Sequence, residues 1–173
     1  MKHSDPQLTF QNKQFCTVPG LYRTWGGYAA GIILFSFWRN WIGLGCWIVL
    51  VPVAKWIYMQ LFPRFSHVIG YGRVEDKLPS LLSPARANVT FYGMLGCPFC
   101  PIVFERLQTL QKEMGFTLTN VDLTLKPQIL ISKGIRSIPV VEVGNERLVG
   151  NVTSEQLAEL ISHTGALELL HAS

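Results

Sequence analysis

The hydrophobic and polar positions divide the chain into two unlike halves. From residue 21 to residue 62 apolar residues run almost continuously, with Arg39 near the middle. About 20 helical residues cross a bilayer core, so this run is too long for one perpendicular helix. A single helix would also place Arg39 near mid-membrane, which costs about 2.5–3.5 kcal/mol. The pattern therefore predicts a membrane anchor of two transmembrane helices, about 21–38 and 41–62, which turn at Arg39-Asn40.

Two alternatives to this transmembrane hairpin remain open. One is a single span over residues 41–61 with an interfacial first segment, and the other is a buried helical hairpin of a soluble protein. Residues 6–74 contain no Asp or Glu, and a Gly27-x-x-x-Gly31 step would let two membrane helices approach closely. Aromatic belts at the two interfaces would account for four tryptophans, Trp25 and Trp56 on one side and Trp38 and Trp41 on the other. These features favour the membrane anchor.

Charge also separates the two halves. Of the net charge of +4, residues 1–86 contribute +6 and residues 87–173 contribute −2. The basic residues are spaced along apolar sequence rather than gathered on a polar face, which argues against nucleic-acid binding. In the hairpin, the flanking basic residues other than Arg39 lie on one side, and the positive-inside rule then places both ends in the cytoplasm. We therefore expect a multi-pass protein of the cell (inner) membrane whose C-terminal half faces the cytoplasm.

The same features set the expected domain limits. Residues 1–20 form an N-terminal cytoplasmic segment and residues 21–62 the anchor. Three prolines and a Gly-Tyr-Gly step indicate a linker over residues 63–86. Residues 87–173 form a second domain.

Within residues 87–173 the pattern changes to short alternating elements of an α/β domain. One apolar face, spaced for a helix, ends before Gly115, and a Thr153/Gln156 capping box starts a last helix that we expect to stop at about His163, before Gly165. The predicted order is β-α-β-α-β-β-α. Its parts are a strand at Val89–Tyr92, a helix with Val103, Leu107, Leu110 and Met114 on its apolar face, a strand at Phe116–Val121, a helix at Lys126–Lys133, strands at Ile138–Val143 and Glu146–Val149, and the helix from Thr153.

A pair of cysteines follows the first of these strands at the start of a helix. Cys97-Pro98-Phe99-Cys100 is a Cys-x-x-Cys motif, and a helix N-terminus offers unpaired N–H groups and partial positive charge. A thiolate is stabilised there, so the thiol pKa falls. Cys97 is therefore predicted to be the attacking nucleophile, and Cys100, one turn later, the resolving thiol.

These residues resemble the glutaredoxin family of the thioredoxin superfamily over about residues 87–163. The resemblance rests on the strand, the Cys-Pro-Phe-Cys motif, Ser137-Ile138-Pro139 and the glycine at Gly150 before a capped helix. It implies a thioredoxin-like, glutaredoxin-type fold, with Pro139 cis and facing the dithiol and Ile138 offering backbone hydrogen bonds to the substrate. The substrate-binding residues expected from it and from the local pattern are Pro98, Phe99, Arg136, Ile138, Pro139, Gly150 and Thr153.

The electron donor is left open between two systems. The family's aspartates before the last helix are absent from Gly150-Asn151-Val152-Thr153-Ser154, although hydroxyls and N–H groups there can still contact a carboxylate. Residues 134–141 also resemble redoxins that accept electrons from thioredoxin reductase. We expect no bound cofactor, and either glutathione or a thioredoxin-reductase system as the donor, with Arg136 the candidate anion contact.

Three functional classes fit these features. The first is a membrane-tethered oxidoreductase that reduces disulfides of membrane-associated proteins, or mixed disulfides with glutathione. The second is a non-catalytic accessory or assembly subunit of a membrane complex, and the third an oxidising or isomerising enzyme, should the topology be opposite. The remaining cysteines and the histidines lack the spacing of a metal site. Cys46 is expected to be a membrane-buried apolar residue and Cys16 an incidental cytoplasmic thiol.

Overall fold

The computed structural model describes residues 14–65, 78–79 and 82–171. Most of the predicted linker, and the first 13 residues of the predicted N-terminal segment, lie outside the described residues. From residue 88 onward the order of elements follows the prediction, except that one predicted strand is divided in two at Pro139. The elements are β1 (Cys16–Thr17), α1 (Val18–Phe37), α2 (Trp41–Phe65), β2 (Asn88–Gly93), α3 (Phe99–Met114), β3 (Thr117–Asp122), α4 (Pro127–Ser132), β4 (Ser137–Ile138), β5 (Val140–Val143), β6 (Glu146–Val149) and α5 (Ser154–His171).

A four-stranded mixed sheet forms the centre of the C-terminal half. Its strand order is β3-β2-β5-β6, with β2 and β3 parallel and the other two pairs antiparallel. The parallel pair requires a crossover, which α3 supplies. In the antiparallel pair Tyr92 lies opposite Val140. The end of β2, which leads to the dithiol, therefore lies beside the start of β5, which follows Pro139.

Helix α3 confirms the predicted apolar face. Val103, Leu107, Leu110 and Met114 are all buried in the core. The helix ends where predicted because Gly115 adopts a left-handed backbone with φ +77°, and its N–H donates to the carbonyl of Gln111 at 2.9 Å. The first turn of α3, next to the dithiol, is therefore held in place by the buried remainder of the helix.

The prediction that the last helix stops before Gly165 is wrong. Helix α5 continues to His171. Gly165 lies in contact with the segment that precedes β2, since a Cβ added there would be 3.4 Å from the Arg86 carbonyl oxygen and 3.5 Å from the Ala85 Cβ. This glycine therefore permits close packing within a continuing helix rather than ending it.

Helices α1 and α2 form an antiparallel hairpin. The indole N–H of Trp47 donates to the carbonyl of Tyr28 at 3.2 Å, and the same ring packs over Gly31. The turn at Arg39, with φ +50°, lies where it was predicted. Helix α1 begins at Val18, three residues earlier than expected, because Thr17 and Val18 are held against β4 and Pro19 suits a first helical turn.

One of these two helices has the length and composition of a membrane-spanning segment. Among the described residues, Trp41–Phe62 is long and apolar enough to cross a bilayer, by length and composition alone, and Phe62 is the one side chain of this stretch that is buried within the protein. Helix α1 has a comparable length but carries Arg23 and Thr24 near its start and Ser36 near its end. The two-span anchor thus stays a prediction, although the hairpin itself is present.

The base of the hairpin packs against the start of α3. Phe62 of α2 and Phe99 of α3 are each 1% exposed, and their rings meet edge-to-face with centroids 5.1 Å apart. The ammonium of Lys55 lies over the ring of Trp25, 4.6 Å from its centroid, and also beside Gly96 of the loop before the dithiol. Gly96 and the start of the dithiol helix therefore lie against the hairpin base.

Candidate active site

The loop between β2 and α3 is fixed by short polar contacts. The N–H of Leu95 donates to the Thr124 hydroxyl at 2.9 Å, and that hydroxyl donates to Asp122 at 2.5 Å. Gly96 takes a left-handed backbone with φ +95°, which returns the chain toward α3. The N–H of Cys97 then donates to the Met94 carbonyl at 3.3 Å. These contacts place Cys97 directly before the first turn of α3.

The surroundings of the dithiol shift the pKa values of its two thiols in opposite directions. Burial opposes ionisation of Cys97, but hydrogen bonds from the Cys100 and Cys16 thiols and from the N–H groups of Phe99 and Cys100 outweigh it, and the pKa of Cys97 lies well below that of an ordinary thiol. The hydrogen bond to Cys97, together with burial, raises the pKa of Cys100. One thiolate flanked by protonated thiols is the arrangement expected of a nucleophile with a resolving partner.

The residues around Pro139 lie next to Cys97, the predicted nucleophile. The Ile138–Pro139 peptide bond is cis, as the resemblance implied. The Sγ atom of Cys97 lies 3.9 Å from the carbonyl oxygen of Ile138, and the Pro139 carbonyl accepts the N–H of Gly150 at 2.8 Å. Strand β4 thus presents its edge beside the Cys97 sulfur.

The expectation that Cys16 is an incidental thiol is wrong. Its Sγ atom lies 2.7 Å from that of Cys97, which is longer than the roughly 2.05 Å of a disulfide bond. The hydrogen bond to Cys97 is the largest cause of a raised pKa for Cys16, followed by burial. Three sulfurs, from Cys16, Cys97 and Cys100, therefore form one cluster.

Cys16 reaches this position because its strand pairs with the edge beside the dithiol. Strand β1 runs antiparallel to β4, with Cys16 opposite Ile138 and Thr17 opposite Ser137. The N–H of Val18 extends this contact by donating to the Arg136 carbonyl at 3.1 Å. The segment Gln14–Val18 thus occupies the edge that the resemblance assigned to substrate.

The other end of this segment is held by the loop before α5. The backbone N–H of Asn151 donates to the Gln14 carbonyl at 2.8 Å, and its side-chain amide donates to the Gln14 Oε1 at 2.6 Å. Arg106 of α3 fixes the loop by donating to the Asn151 Oδ1 at 2.7 Å and to the Val152 carbonyl at 2.6 Å. The region expected to hold glutathione therefore contacts the chain's own Gln14.

The remaining predicted substrate-binding residues surround this segment in different ways. Gly150, with φ +96°, lies so close that an added Cβ would be 3.0 Å from the Gln14 carbonyl oxygen. Pro98 is half-buried, and Phe99 is covered by Phe62 rather than open to a substrate. Arg136 contributes its backbone carbonyl while its side chain is exposed.

Thr153 serves the start of α5. Its hydroxyl accepts the N–H of Gln156 at 3.3 Å, while the Gln156 side chain accepts the Thr153 N–H at 3.1 Å. The predicted capping box is therefore present.

Within the described part of the chain, no group of three His, Cys, Asp or Glu side chains could hold a metal ion.

Gln14, Cys16 and Asn151 are the site residues that the sequence reasoning missed. The available signal was the short β-favouring run Phe15–Val18 around a cysteine, directly before a long helix. Nothing in that run names its partner strand, which lies more than 100 residues further along the chain.

Comparisons with known proteins agree with this geometry over the C-terminal half. Residues 88–162 match the family model described as Glutaredoxin-like domain (DUF836). The probable thioredoxin of Methanothermobacter thermautotrophicus is 27% identical over an alignment of 78 residues, which covers 43% of this chain and 92% of that protein.

Two solved structures resemble part of the chain. A mutant thioredoxin from Halobacterium salinarum NRC-1 is 16% identical, covers 47% of this chain and 76% of its own, and has a TM-score of 0.44. A second structure, described only as a malarial protein, is 22% identical, covers 46% of this chain and 97% of its own, and has a TM-score of 0.42. The family match coincides with the segment that carries the Cys97–Cys100 pair beside cis-Pro139. Residues 88–162 therefore carry a glutaredoxin-like domain.

Proposed function

We propose that the chain is a membrane-tethered thiol–disulfide oxidoreductase that reduces protein disulfides, or mixed disulfides with glutathione. The Cys97 thiolate attacks one sulfur of the substrate, the substrate S–S bond breaks, and the departing sulfur takes a proton. Cys100 then loses its proton and attacks Cys97, which releases the second substrate thiol and leaves a Cys97–Cys100 disulfide. An external donor of two electrons restores the dithiol.

The observation that carries this proposal is the environment of the Cys97 sulfur. A depressed thiol pKa at a helix N-terminus keeps the nucleophile ionised at neutral pH. The raised pKa of Cys100 keeps that thiol protonated, as a hydrogen-bond donor, until a mixed disulfide removes the charge on Cys97. A purely structural subunit would gain nothing from this difference.

Substrate recognition is assigned to the backbone edge and the small residues beside it. A substrate strand would pair with Ile138 next to Pro139, as β1 does here. Gly150 leaves room for the backbone of that strand, and Pro98, directly after Cys97, would contact it. The carbonyl of Arg136 would accept an N–H, while Phe99 and Thr153 would act through their support of α3 and α5.

The electron donor is proposed to be glutathione or a thioredoxin-reductase system, with no bound cofactor. The Asn151 amide and N–H could hold a peptide carbonyl of glutathione as they hold Gln14. The exposed guanidinium of Arg136 would attract a carboxylate. Substrates are proposed to be membrane-associated proteins, because tethering raises the effective concentration of the dithiol near them.

The membrane part of the proposal is a two-helix anchor. Since α1 packs along α2 through Trp47, Tyr28 and Gly31, insertion of α2 into hydrocarbon brings α1 to the same depth. Both ends of the hairpin also lead to the redox domain, because Cys16 precedes α1 and Phe62 ends the candidate span. This arrangement favours two spans over one and, with the positive-inside rule, a redox domain on the cytoplasmic side of the cell (inner) membrane.

Activity is tested with the full chain in detergent micelles. Reduction of a protein disulfide is followed with glutathione and its reductase, or with thioredoxin and its reductase, as electron source. We expect turnover that is lost in Cys97→Ser and kept in the matched control Cys46→Ser. A folded chain without turnover from either source would refute the enzyme and favour the accessory-subunit alternative.

Topology is tested with single cysteines at Asn40 and Asn145 in a cysteine-free chain and with an N-terminal epitope tag. In sealed vesicles we expect a membrane-impermeant maleimide to label Asn40→Cys and Asn145→Cys from opposite sides, and the tag to be digested from the Asn145 side. Digestion of the tag from the Asn40 side would indicate a single span.

A further inference from the structure

We propose that Cys16 is a third redox residue of this centre. The dithiol exchanges electrons through Cys16 while the segment Gln14–Val18 remains paired with the edge of β4. The inference rests on the proposed oxidoreductase function and assigns an additional residue to it. It concerns a cysteine outside the Cys-x-x-Cys motif and outside the segment matched by the family model.

The first argument is the number of independent contacts that hold Cys16 in place. Its strand pairs with β4, Val18 bonds to Arg136 beyond one end, and Gln14 bonds twice to Asn151 at the other. The sulfur itself lies 2.7 Å from that of Cys97. The chain thus presents its own cysteine to the nucleophile along the edge proposed to bind a substrate disulfide.

The second argument is the difference in access between the sulfurs. Cys97 is 1% exposed and Cys100 is also buried, whereas Cys16 is only partly buried. With the segment in place, an external thiol or disulfide meets Cys16 before it can reach Cys97. Thiol–disulfide exchange requires direct approach of one sulfur to another. We therefore assign the exchange with external thiols and disulfides to Cys16, the more accessible sulfur.

The chemistry needs no further oxidant. In the oxidised centre, the Cys16 thiol gives its proton to solvent and attacks the Cys97 sulfur. The Cys97–Cys100 bond breaks, Cys100 leaves as a thiolate and takes up a proton, and a Cys16–Cys97 disulfide results. An external thiolate, such as that of glutathione, attacks Cys16, the Cys16–Cys97 bond breaks, and Cys97 is released as the thiolate. A second thiol then frees Cys16 and carries away the disulfide.

The test traps this intermediate in the full chain. Cys100→Ser, in detergent micelles, is treated with oxidised glutathione, quenched with acid, alkylated and mapped by mass spectrometry. Cys16 first forms a mixed disulfide with glutathione, and the Cys97 thiolate then displaces the glutathione. We expect a Cys16–Cys97 disulfide, with Cys46 alkylated as the internal control. Glutathione retained on Cys97 with Cys16 free, or Cys97-linked dimers, would overturn the proposal.

A second measurement separates this proposal from the proposed function. The rate at which glutathione reduces the Cys97–Cys100 disulfide is compared between Cys16→Ser and Cys46→Ser. We expect the Cys16 variant to be about tenfold slower, since the accessible sulfur is removed while the segment keeps its shape. An unchanged or faster rate in Cys16→Ser would overturn the role of Cys16 even if the enzyme turns over. A trapped Cys16–Cys97 bond without any protein-disulfide turnover would instead reject the oxidoreductase and leave the exchange standing.

Discussion

Phe62, the last residue of the candidate membrane span, packs edge-to-face on Phe99, which lies between the two cysteines of the dithiol. Helix α2 and the dithiol segment therefore share one buried contact. A change at the end of α2 acts directly on the first turn of α3.

This contact predicts a loss of stability when the ring of Phe62 is removed. We expect Phe62→Ala to lower the free energy of unfolding by about 3–5 kcal/mol, because a fully buried ring leaves a cavity. Thermal unfolding of the full chain in micelles measures the effect. Phe65→Ala, which removes an exposed ring from the same helix, is the control. Equal shifts in the two variants would show that the Phe62–Phe99 contact contributes little.

The lowered pKa of Cys97 predicts the pH dependence of thiolate formation. Because the shift is downward, the thiolate absorbance near 240 nm that depends on Cys97 should persist at neutral pH and disappear only in acid, below the roughly 8.5 of an ordinary thiol. Cys16→Ala removes one hydrogen-bond donor and should raise the midpoint. A wild-type midpoint near 8.5 would contradict the electrostatic account of the nucleophile.

Helix packing in the hairpin depends on Gly31 rather than on Gly27. A Cβ added at Gly31 would lie 2.4 Å from the Trp47 ring, whereas one at Gly27 meets nothing within 4 Å. We therefore expect Gly31→Ala to destabilise the chain by about 1–3 kcal/mol, as overpacking does. Gly27→Ala should leave the thermal midpoint in micelles unchanged or higher. Similar losses from both variants would mean that the α1–α2 contact differs from the one described.

Alanine variants of Gly150 and Gly134 distinguish the effect of backbone conformation from the effect of contact with the N-terminal segment. Both have positive φ, so alanine at either position should cost about 1–2 kcal/mol. Only at Gly150 would the new Cβ press on the Gln14 carbonyl. We expect Gly150→Ala alone to speed alkylation of Cys97 by displacing Gln14–Thr17. Equal alkylation rates in the two variants would show that the segment does not protect Cys97.

The capping box at the start of α5 predicts a smaller effect. Thr153→Ala removes the oxygen that accepts the Gln156 N–H and should lower the free energy of unfolding by about 1 kcal/mol. Thr109→Ala, at an exposed position inside α3, is the matched control and should change stability little. Denaturant titration of both variants decides, and a loss of stability confined to Thr109→Ala would oppose the assignment.

Local patterns predicted the parts of the site that local chemistry determines. The strand before Cys97, the apolar face of α3 and the stop at Gly115 follow from period and propensity within short windows. The contacts of Cys16 with Cys97 and of Phe62 with Phe99 join distant segments, and no periodicity records them. Gly165 was misjudged for the same reason, since its neighbour is Arg86, far away in the sequence.

Because the chain's own N-terminal segment covers the edge of β4, small thiols and protein substrates differ in their access to the dithiol. A small thiol can approach the partly buried Cys16, but a protein that must pair with the edge of β4 competes with Gln14–Thr17 for the same hydrogen bonds. Its turnover then includes the departure of that segment, and the rate of this conformational step does not depend on the substrate. Maximal rates for different protein substrates should therefore converge on one value, set by the N-terminal segment rather than by the disulfide being reduced.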